Sequence, residues 1–219
     1  MKTWLITGCS SGFGRNLAET LLSEGEQVIV TARKPKTIQH FAKNYPLTAL
    51  CLRLDVTKKD TIDATVNAAI EKFGKIDVLI NNAGYCLRGA VEECTEEEIY
   101  AEFNTNFFGA VRMIQAVLPH MRKAGIGAII NYSSIAALDT SAGSAFYGAA
   151  KCALEGLSCG LRKEVEPLGI KVMVVEPGPF KTDFFDRSID INPNRIAAYD
   201  DTANKRKVKI SDLSKVDIK

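Results

Sequence analysis

Thr7-Gly8-Cys9-Ser10-Ser11-Gly12-Phe13-Gly14 carries two incompatible signals. Gly8 to Gly12 spells G-x-S-x-G, the elbow that presents a nucleophilic serine, whereas the glycines together read as a backbone cradle for phosphate. Both readings need a strand before the segment and a helix after it. The apolar run from Lys2 to Thr7 precedes it, and a helical stripe of Leu17, Ala18, Leu21 and Leu22 follows. A hydrolase of this type also needs a histidine that follows both the nucleophile and the acid in chain order. The histidines, His40 and His120, both precede the last two strand candidates. A P-loop would require Lys-Ser or Lys-Thr after the glycines, and neither is there. What survives is a dinucleotide cradle, in which glycines let the backbone approach a pyrophosphate whose charge is stabilised by the N-terminus of the next helix. Ser10 then supplies a hydroxyl and an amide. The spacing Gly-x3-Gly-x-Gly departs from the commoner G-x-G-x-x-G.

Outward from this loop, short β-branched runs alternate with helical-period stretches, the pattern of βαβ units and a parallel sheet. The predicted strands are Lys2 to Thr7, Gln27 to Ala32, Leu47 to Leu54, Ile76 to Asn81, Ala128 to Ser133 and Ile170 to Glu176. Ile62, Val66, Ala69, Ile70 and Phe73 mark one helical face. Thr95-Glu96-Glu97-Glu98 is a capping box, and the helix it opens is predicted to run to about His120. In such sheets ligands bind at the carboxyl ends of the strands, so chemistry is expected there.

Composition is consistent with one domain over residues 1–219, since 46% hydrophobic and 25% charged residues can bury one substantial core. A net charge of +2 sets up no strong field, so neither nucleic acid nor a membrane surface is implied as a partner. Lys205-Arg206-Lys207 reads as a solvated face. The six cysteines form no CxxC pair and join no histidine cluster, which argues against a zinc site and a disulfide framework. Reduced thiols and the absence of a recognisable leader make the cytoplasm the expected location.

The order of motifs along the chain now resembles the short-chain dehydrogenase/reductase family. TGCSSGFG is similar to that family's glycine motif, and Asn81-Asn82-Ala83-Gly84 to its NNAG. Tyr147-Gly148-Ala149-Ala150-Lys151 resembles its YxxxK, with Ser134 thirteen residues upstream as the family's serine. Pro177-Gly178-Pro179, with Thr182 downstream, completes the series over about Lys2 to Asp183. The resemblance implies a doubly wound Rossmann-type α/β fold with strand order 3-2-1-4-5-6. It implies cofactor contacts from Gly8, Ser10, Ser11, Gly12, Phe13, Gly14, Asp55, Val56, Asn82, Ala83, Gly84, Tyr147, Lys151, Pro177, Gly178 and Thr182, and a catalytic set of Asn106, Ser134, Tyr147 and Lys151.

Physical chemistry gives these residues roles. Tyr147 and Lys151 are four apart on a predicted helix and emerge on one face. A phenol titrates near ~10, so work as a general acid/base at neutral pH needs a neighbouring ammonium to favour the phenolate. Ser134, at a strand end, is positioned to hydrogen-bond a substrate oxygen as charge develops on it. Asn106 falls within the apolar stripe of Ile99, Phe103, Ala110, Met113 and Val117, where a buried amide must be hydrogen-bonded. A helix-to-sheet bond is one account of it. The match of Asn106-Phe107-Phe108-Gly109 to the family suggests another, a water held as a proton relay to Lys151.

Strand two ends in Ala32-Arg33-Lys34, with no acid to hold the ribose hydroxyls of NAD and with a guanidinium suited to a 2′-phosphate. NADP is therefore the expected cofactor. Cys86, Leu87, Arg88, Phe180, Phe184 and Phe185 are candidates for a mainly apolar substrate pocket. About forty residues follow Gly178, so 178–219 is read as a substrate loop and an incomplete C-terminal region with little chain for a seventh strand. By resemblance, the helices after Glu98 and after Ser144 favour a homodimer over a tetramer. The expected function is hydride transfer between NADP and a carbonyl or alcohol, the alternative being a catalytically idle NADP-binding redox sensor.

Overall fold

Alternation along the strands decides the architecture. Leu5, Ile29, Leu79 and Ile129 point into one apolar layer, whereas Ile6, Val28, Val30, Val78 and Ile80, one position away, point into the opposite one. Strands buried on both faces need helices on both faces, which a parallel sheet with helical crossovers supplies. The computed structural model describes residues 1–178 and 188–206. Its strands are β1 Thr3–Ile6, β2 Gln27–Ala32, β3 Ala49–Arg53, β4 Val78–Asn81, β5 Cys86–Arg88, β6 Gly127–Tyr132, β7 Ile170–Val175 and β8 Ile189–Ile191. The helices are α1 Gly12–Ser23, α2 Gln39–Asn44, α3 Lys59–Phe73, α4 Glu96–Asn106, α5 Phe108–Ala124 and α6 Ala145–Val165.

The main sheet is parallel throughout, in the order β3-β2-β1-β4-β6-β7. This is the expected 3-2-1-4-5-6 order, once the intervening β5 is counted apart. The first layer is closed by Ile62 and Val66 of α3, Met113, Val117 and Met121 of α5, and Leu161 and Val165 of α6. The second is closed by Ala18, Leu21 and Leu22 of α1 and Phe41 of α2. Where the strand order reverses, between β1 and β4, their carboxyl ends open a crevice, the usual ligand position in such folds. No described helix is long and apolar enough to cross a membrane.

Two features differ from expectation. β5 and β8 were not foreseen: they form a separate parallel pair, Cys86 opposite Ile189 and Arg88 opposite Ile191, beyond the end of the main sheet. The helix predicted from the Thr95 cap to His120 is two helices. The capping box forms, with Glu98 N donating to Thr95 Oγ1 at 3.3 Å and Thr95 N to Glu98 Oε2 at 2.8 Å. The helix then breaks at Phe107, whose φ of −111° and ψ of −64° leave the helical track. The two parts serve different surfaces: α4 packs on α6, whereas α5 packs on α3 and the sheet. Gly109 seats the start of α5 against Val56, where a Cβ would lie 3.0 Å from the valine Cβ.

Candidate active site

The glycine loop is clamped to the end of β4. Thr7 Oγ1 accepts from Asn82 N and Ala83 N, each at 2.9 Å, while Asn82 Nδ2 donates to Thr7 O at 2.8 Å and Gly8 O at 3.1 Å. Gly8 has φ +76°, and a Cβ there would meet Ala83 Cα at 2.9 Å, so both its conformation and its surroundings demand glycine. A Cβ on Gly14 would lie 2.7 Å from Gly8 O and collide with Asn82. The loop therefore presents bare backbone at the start of α1, as a pyrophosphate cradle requires. Cys9 forms its floor, fully buried, with the thiol pushed up to about 12 by burial.

Above the loop lies a cleft of about 650 Å³. Its walls are Gly8 and Ser10 to Phe13 from the loop, Ala32 and Arg33 from the end of β2, Asp55 and Val56 beyond β3, and Asn82, Ala83 and Gly84 after β4. All of these but Ala32 are sequence-predicted cofactor residues. Neither histidine lines it. Ala32 is buried without a carboxylate, and Arg33 is exposed in no ion pair among the described residues. Burial alone would raise the Asp55 carboxyl, but bonds from Thr57 Oγ1 at 2.7 Å and Thr57 N at 3.0 Å, with the charges of Arg33 and Lys58, hold it below the usual carboxylate value.

The predicted catalytic residues gather beside Gly84. Ser134 follows β6 and caps the short helix Ile135–Ala137, its Oγ accepting from Ala136 N at 3.1 Å. It also hydrogen-bonds the Tyr147 hydroxyl. Ser133 faces the other way and donates to Glu155 Oε1 at 2.5 Å. Tyr147 opens α6, and Gly148 beside it lets the Ser134 loop approach: a Cβ there would lie 2.9 Å from Ala136 O. One turn on, the buried Lys151 Nζ sits 5.6 Å from the Tyr147 ring centroid and donates to Tyr132 O at 2.7 Å. A Cβ on Gly84 would come within 3.7 Å of that Nζ. Pro177 joins the cluster through Ile135 N, which donates to its carbonyl at 3.2 Å. Gly178 ends the first described stretch, and Thr182, Phe180, Phe184 and Phe185 lie outside the described residues.

Two expectations change. In the protein without cofactor, burial pushes Tyr147 up to about 12 rather than down, because a phenolate is poorly solvated there and the Ser134 bond offsets only part of that cost. Burial likewise draws Lys151 down to about 8. The second change concerns Asn106. Its side-chain amide is held on three bonds: Nδ2 donates to Tyr85 O and to Glu102 Oε1, both at 2.7 Å, and Oδ1 accepts from Tyr85 N at 3.0 Å. One amide hydrogen and Oδ1 pin Tyr85 in the loop after Gly84 and the other amide hydrogen goes to Glu102 one turn back, so the bonds run from helix to loop rather than from helix to sheet.

Other residues, Asn81 of the NNAG motif apart, had no local signal in the sequence. Asn81 Nδ2 donates to Asn131 Oδ1 at 2.9 Å and Asn131 Nδ2 to Ser158 Oγ at 2.8 Å, a polar chain that ties β4 and β6 to α6. Ser188, Ile189 and Asp190 return to line the cleft beside Tyr85. The segment that carries them is strapped down by Glu93, whose buried carboxylate accepts from Ala90 N and Ile196 N, each at 2.8 Å. Asn194 Nδ2 donates to Glu93 O at 3.0 Å, and Asn192 Nδ2 to Glu98 Oε2 at 2.5 Å.

A glycine cradle at the switch point of a parallel sheet, with a Ser-Tyr-Lys cluster at the adjoining strand end, defines a Rossmann-type fold with a dinucleotide-sized cleft. Residues 2–191 match the family model of the short chain dehydrogenases, and the chain belongs to that family. It is 47% identical over 182 residues to the 3-ketodihydrosphingosine reductase of Bacteroides thetaiotaomicron, an alignment covering 83% of this chain and 65% of that relative. The chain thus spans about two thirds of that relative's length. A short-chain dehydrogenase from Streptomyces avermitilis superposes with a TM-score of 0.90 at 40% identity, over 96% of this chain and 79% of that one. ElxO, solved with NADP bound, superposes with a TM-score of 0.78 at 35% identity, over 83% of this chain and 75% of that one.

Proposed function

We propose that the protein is an NADP-dependent oxidoreductase that interconverts a small-molecule carbonyl compound and its alcohol. The observation that carries this reading is the hydrogen-bonded pair Ser134 and Tyr147, backed by the buried Lys151 ammonium, at the same strand ends as the glycine cradle. The cradle fits the cofactor: Gly8 and Gly14 leave backbone where a methyl would intrude, and Ser10 and Ser11 offer donors along the cleft. Arg33 is the ligand for a 2′-phosphate and Ala32 leaves room for it, in keeping with NADP in the related ElxO. NADPH, when bound, supplies the hydride. Ser134 then holds the substrate oxygen as negative charge builds on it, and Tyr147 donates its proton to that oxygen.

In the reducing direction Tyr147 enters as the protonated phenol. A phenol held at about 12 is fully protonated at neutral pH, which is the form a proton donor to a nascent alkoxide requires. Lys151, one turn away, stabilises the phenolate left behind and, by the family resemblance, the nicotinamide ribose. Asn106 acts through Tyr85, fixing the loop that borders the reacting centre. Pairing of two copies through the α4 and α6 faces belongs to the same reading. The test is titration with NADPH and NADH, followed by loss of cofactor absorbance across a panel of ketones and aldehydes. Turnover with NADPH preferred supports the proposal, whereas tight binding without turnover on any carbonyl favours a redox sensor.

A further inference from the structure

One carboxyl group has no place in this chemistry. Glu102, on the inner face of α4, has no solvent exposure, and a charge there is costly unless it is partnered. Its Oε2 accepts from Leu87 N and its Oε1 from Asn106 Nδ2, both at 2.7 Å. Two neutral donors stabilise a carboxylate without neutralising it. The cation that faces it is Lys151, itself 5% exposed, whose recorded hydrogen bond goes to the neutral Tyr132 O. The two groups belong to one packed cluster: a Cβ on Gly84 would lie 2.8 Å from Asn106 Oδ1 and 3.7 Å from Lys151 Nζ.

We infer that Glu102 is a positioning residue whose carboxylate is the counter-charge keeping Lys151 an ammonium in a dry site, while its two hydrogen bonds fix Asn106 and the start of β5. The inference rests on the reading of Lys151 as the ammonium of the reaction. The electrostatics agree with the geometry. Burial raises Glu102 to about 7, against the pull of the Leu87 amide and Lys151, and burial lowers Lys151 to about 8, against the pull of Glu102. Other groups face the pair from every side. Cys86 on β5 and Tyr147 on α6 are pushed up to about 11 and about 12 and stay neutral in this range, Arg88 acting on Cys86. Asp190 on β8 opposes the charge on Glu102, and Tyr85, pushed well up by burial and by Glu102, also stays neutral. Below pH 7, Glu102 is largely protonated, so its electrostatic help to Lys151 is felt above that pH.

Glu102→Gln separates the charge from the shape. In the cofactor-free protein, the Cε resonance of Lys151 followed by NMR across pH reports its titration. Removal of the counter-charge should move the midpoint down by about one pH unit. In turnover, the loss of kcat/KM should be about tenfold larger at pH 8.5 than at pH 6, since one unit is a factor of ten in the charged fraction. Glu102→Asp keeps the charge and should hold the Lys151 midpoint near the wild-type value. An unmoved midpoint in Glu102→Gln, or equal losses at the two pH values, overturns the inference and leaves a packing role. If Glu102→Gln does not fold, a fallen midpoint in Glu102→Asp overturns it in the same way. The amine titration decides the matter even if no carbonyl is turned over, so failure of the enzymatic reading and of this one are distinguishable.

Discussion

On the cofactor side of the cleft, Thr7, Gly8, Asn82 and Ala83 meet because β1 and β4 are neighbours in a continuous sheet, and the register of the strands sets their positions. On the side we assign to the substrate, β5 and β8 are three-residue strands outside that sheet, held to the rest by side chains such as Glu93, Glu98 and Asn192. Backbone register is robust because many bonds share it. A wall hung on a few carboxylates, such as the buried Glu93 and the half-buried Glu98, is not, because loss of one acceptor strands its donors. The two sides should therefore respond differently to single substitutions.

The largest effect should come at their junction. Tyr147→Phe keeps the ring packing and removes the donated proton, so turnover should fall by about 10²- to 10⁴-fold while NADPH binding by fluorescence titration stays near wild type. Undiminished turnover would end the proposed chemistry. Next comes the cofactor side: Arg33→Ala should weaken NADPH by about 1.5–3 kcal/mol, roughly ten- to hundredfold, and leave NADH unchanged. Ala32→Asp should invert the preference by setting a carboxylate against the phosphate. Equal losses for both dinucleotides would make Arg33 a structural residue. Gly14→Ala forces a methyl into Asn82 and should lower stability by about 1–3 kcal/mol in denaturant melts, weakening both dinucleotides alike. The smallest and most local change is expected on the substrate side. Glu93→Gln leaves Ala90 N and Ile196 N with one good acceptor between them, at about 1–2 kcal/mol. It should raise KM for the carbonyl without altering NADPH affinity, and a matching loss of NADPH binding would show that the two sides are not separately built.

The same division explains what was legible from the residues alone. The cradle could be read because its signals are local: glycines between a strand and a helix, and an amide-rich turn after β4. Tyr147 and Lys151 could be placed on one face by spacing, and of the two serines Ser134 bonds Tyr147 whereas Ser133 bonds Glu155. Spacing does not report desolvation, so the direction of the Tyr147 shift was missed. No glycine or proline marks Phe107, and the break there arises because α4 and α5 pack on different partners. Glu102 sat unnoticed in a predicted helix because it is charged, although it lies three residues after Ile99 and four before Asn106, on the face the stripe marks. β5 and β8 are too short to carry a periodic signal, and their pairing joins residues about a hundred positions apart.

That separation has a consequence for how the molecule is assembled in time. The bonds that fasten the strap span 94 residues for Asn192 to Glu98, 103 for Ile196 to Glu93 and 107 for Tyr199 to Glu92. During synthesis, Thr7 can meet Ala83 before β5 has anything to pair with, so the nucleotide cradle is complete while the substrate wall is still unmade. Contacts of such high sequence separation close last, after the loop entropy between them has been overcome. They are also the natural place for local opening, which needs only a few part-buried or exposed bonds to be broken while the sheet stays whole. Amide exchange should therefore protect β1 and β4 most and β5 and β8 least, giving a protein able to hold its nucleotide while the substrate side opens and closes.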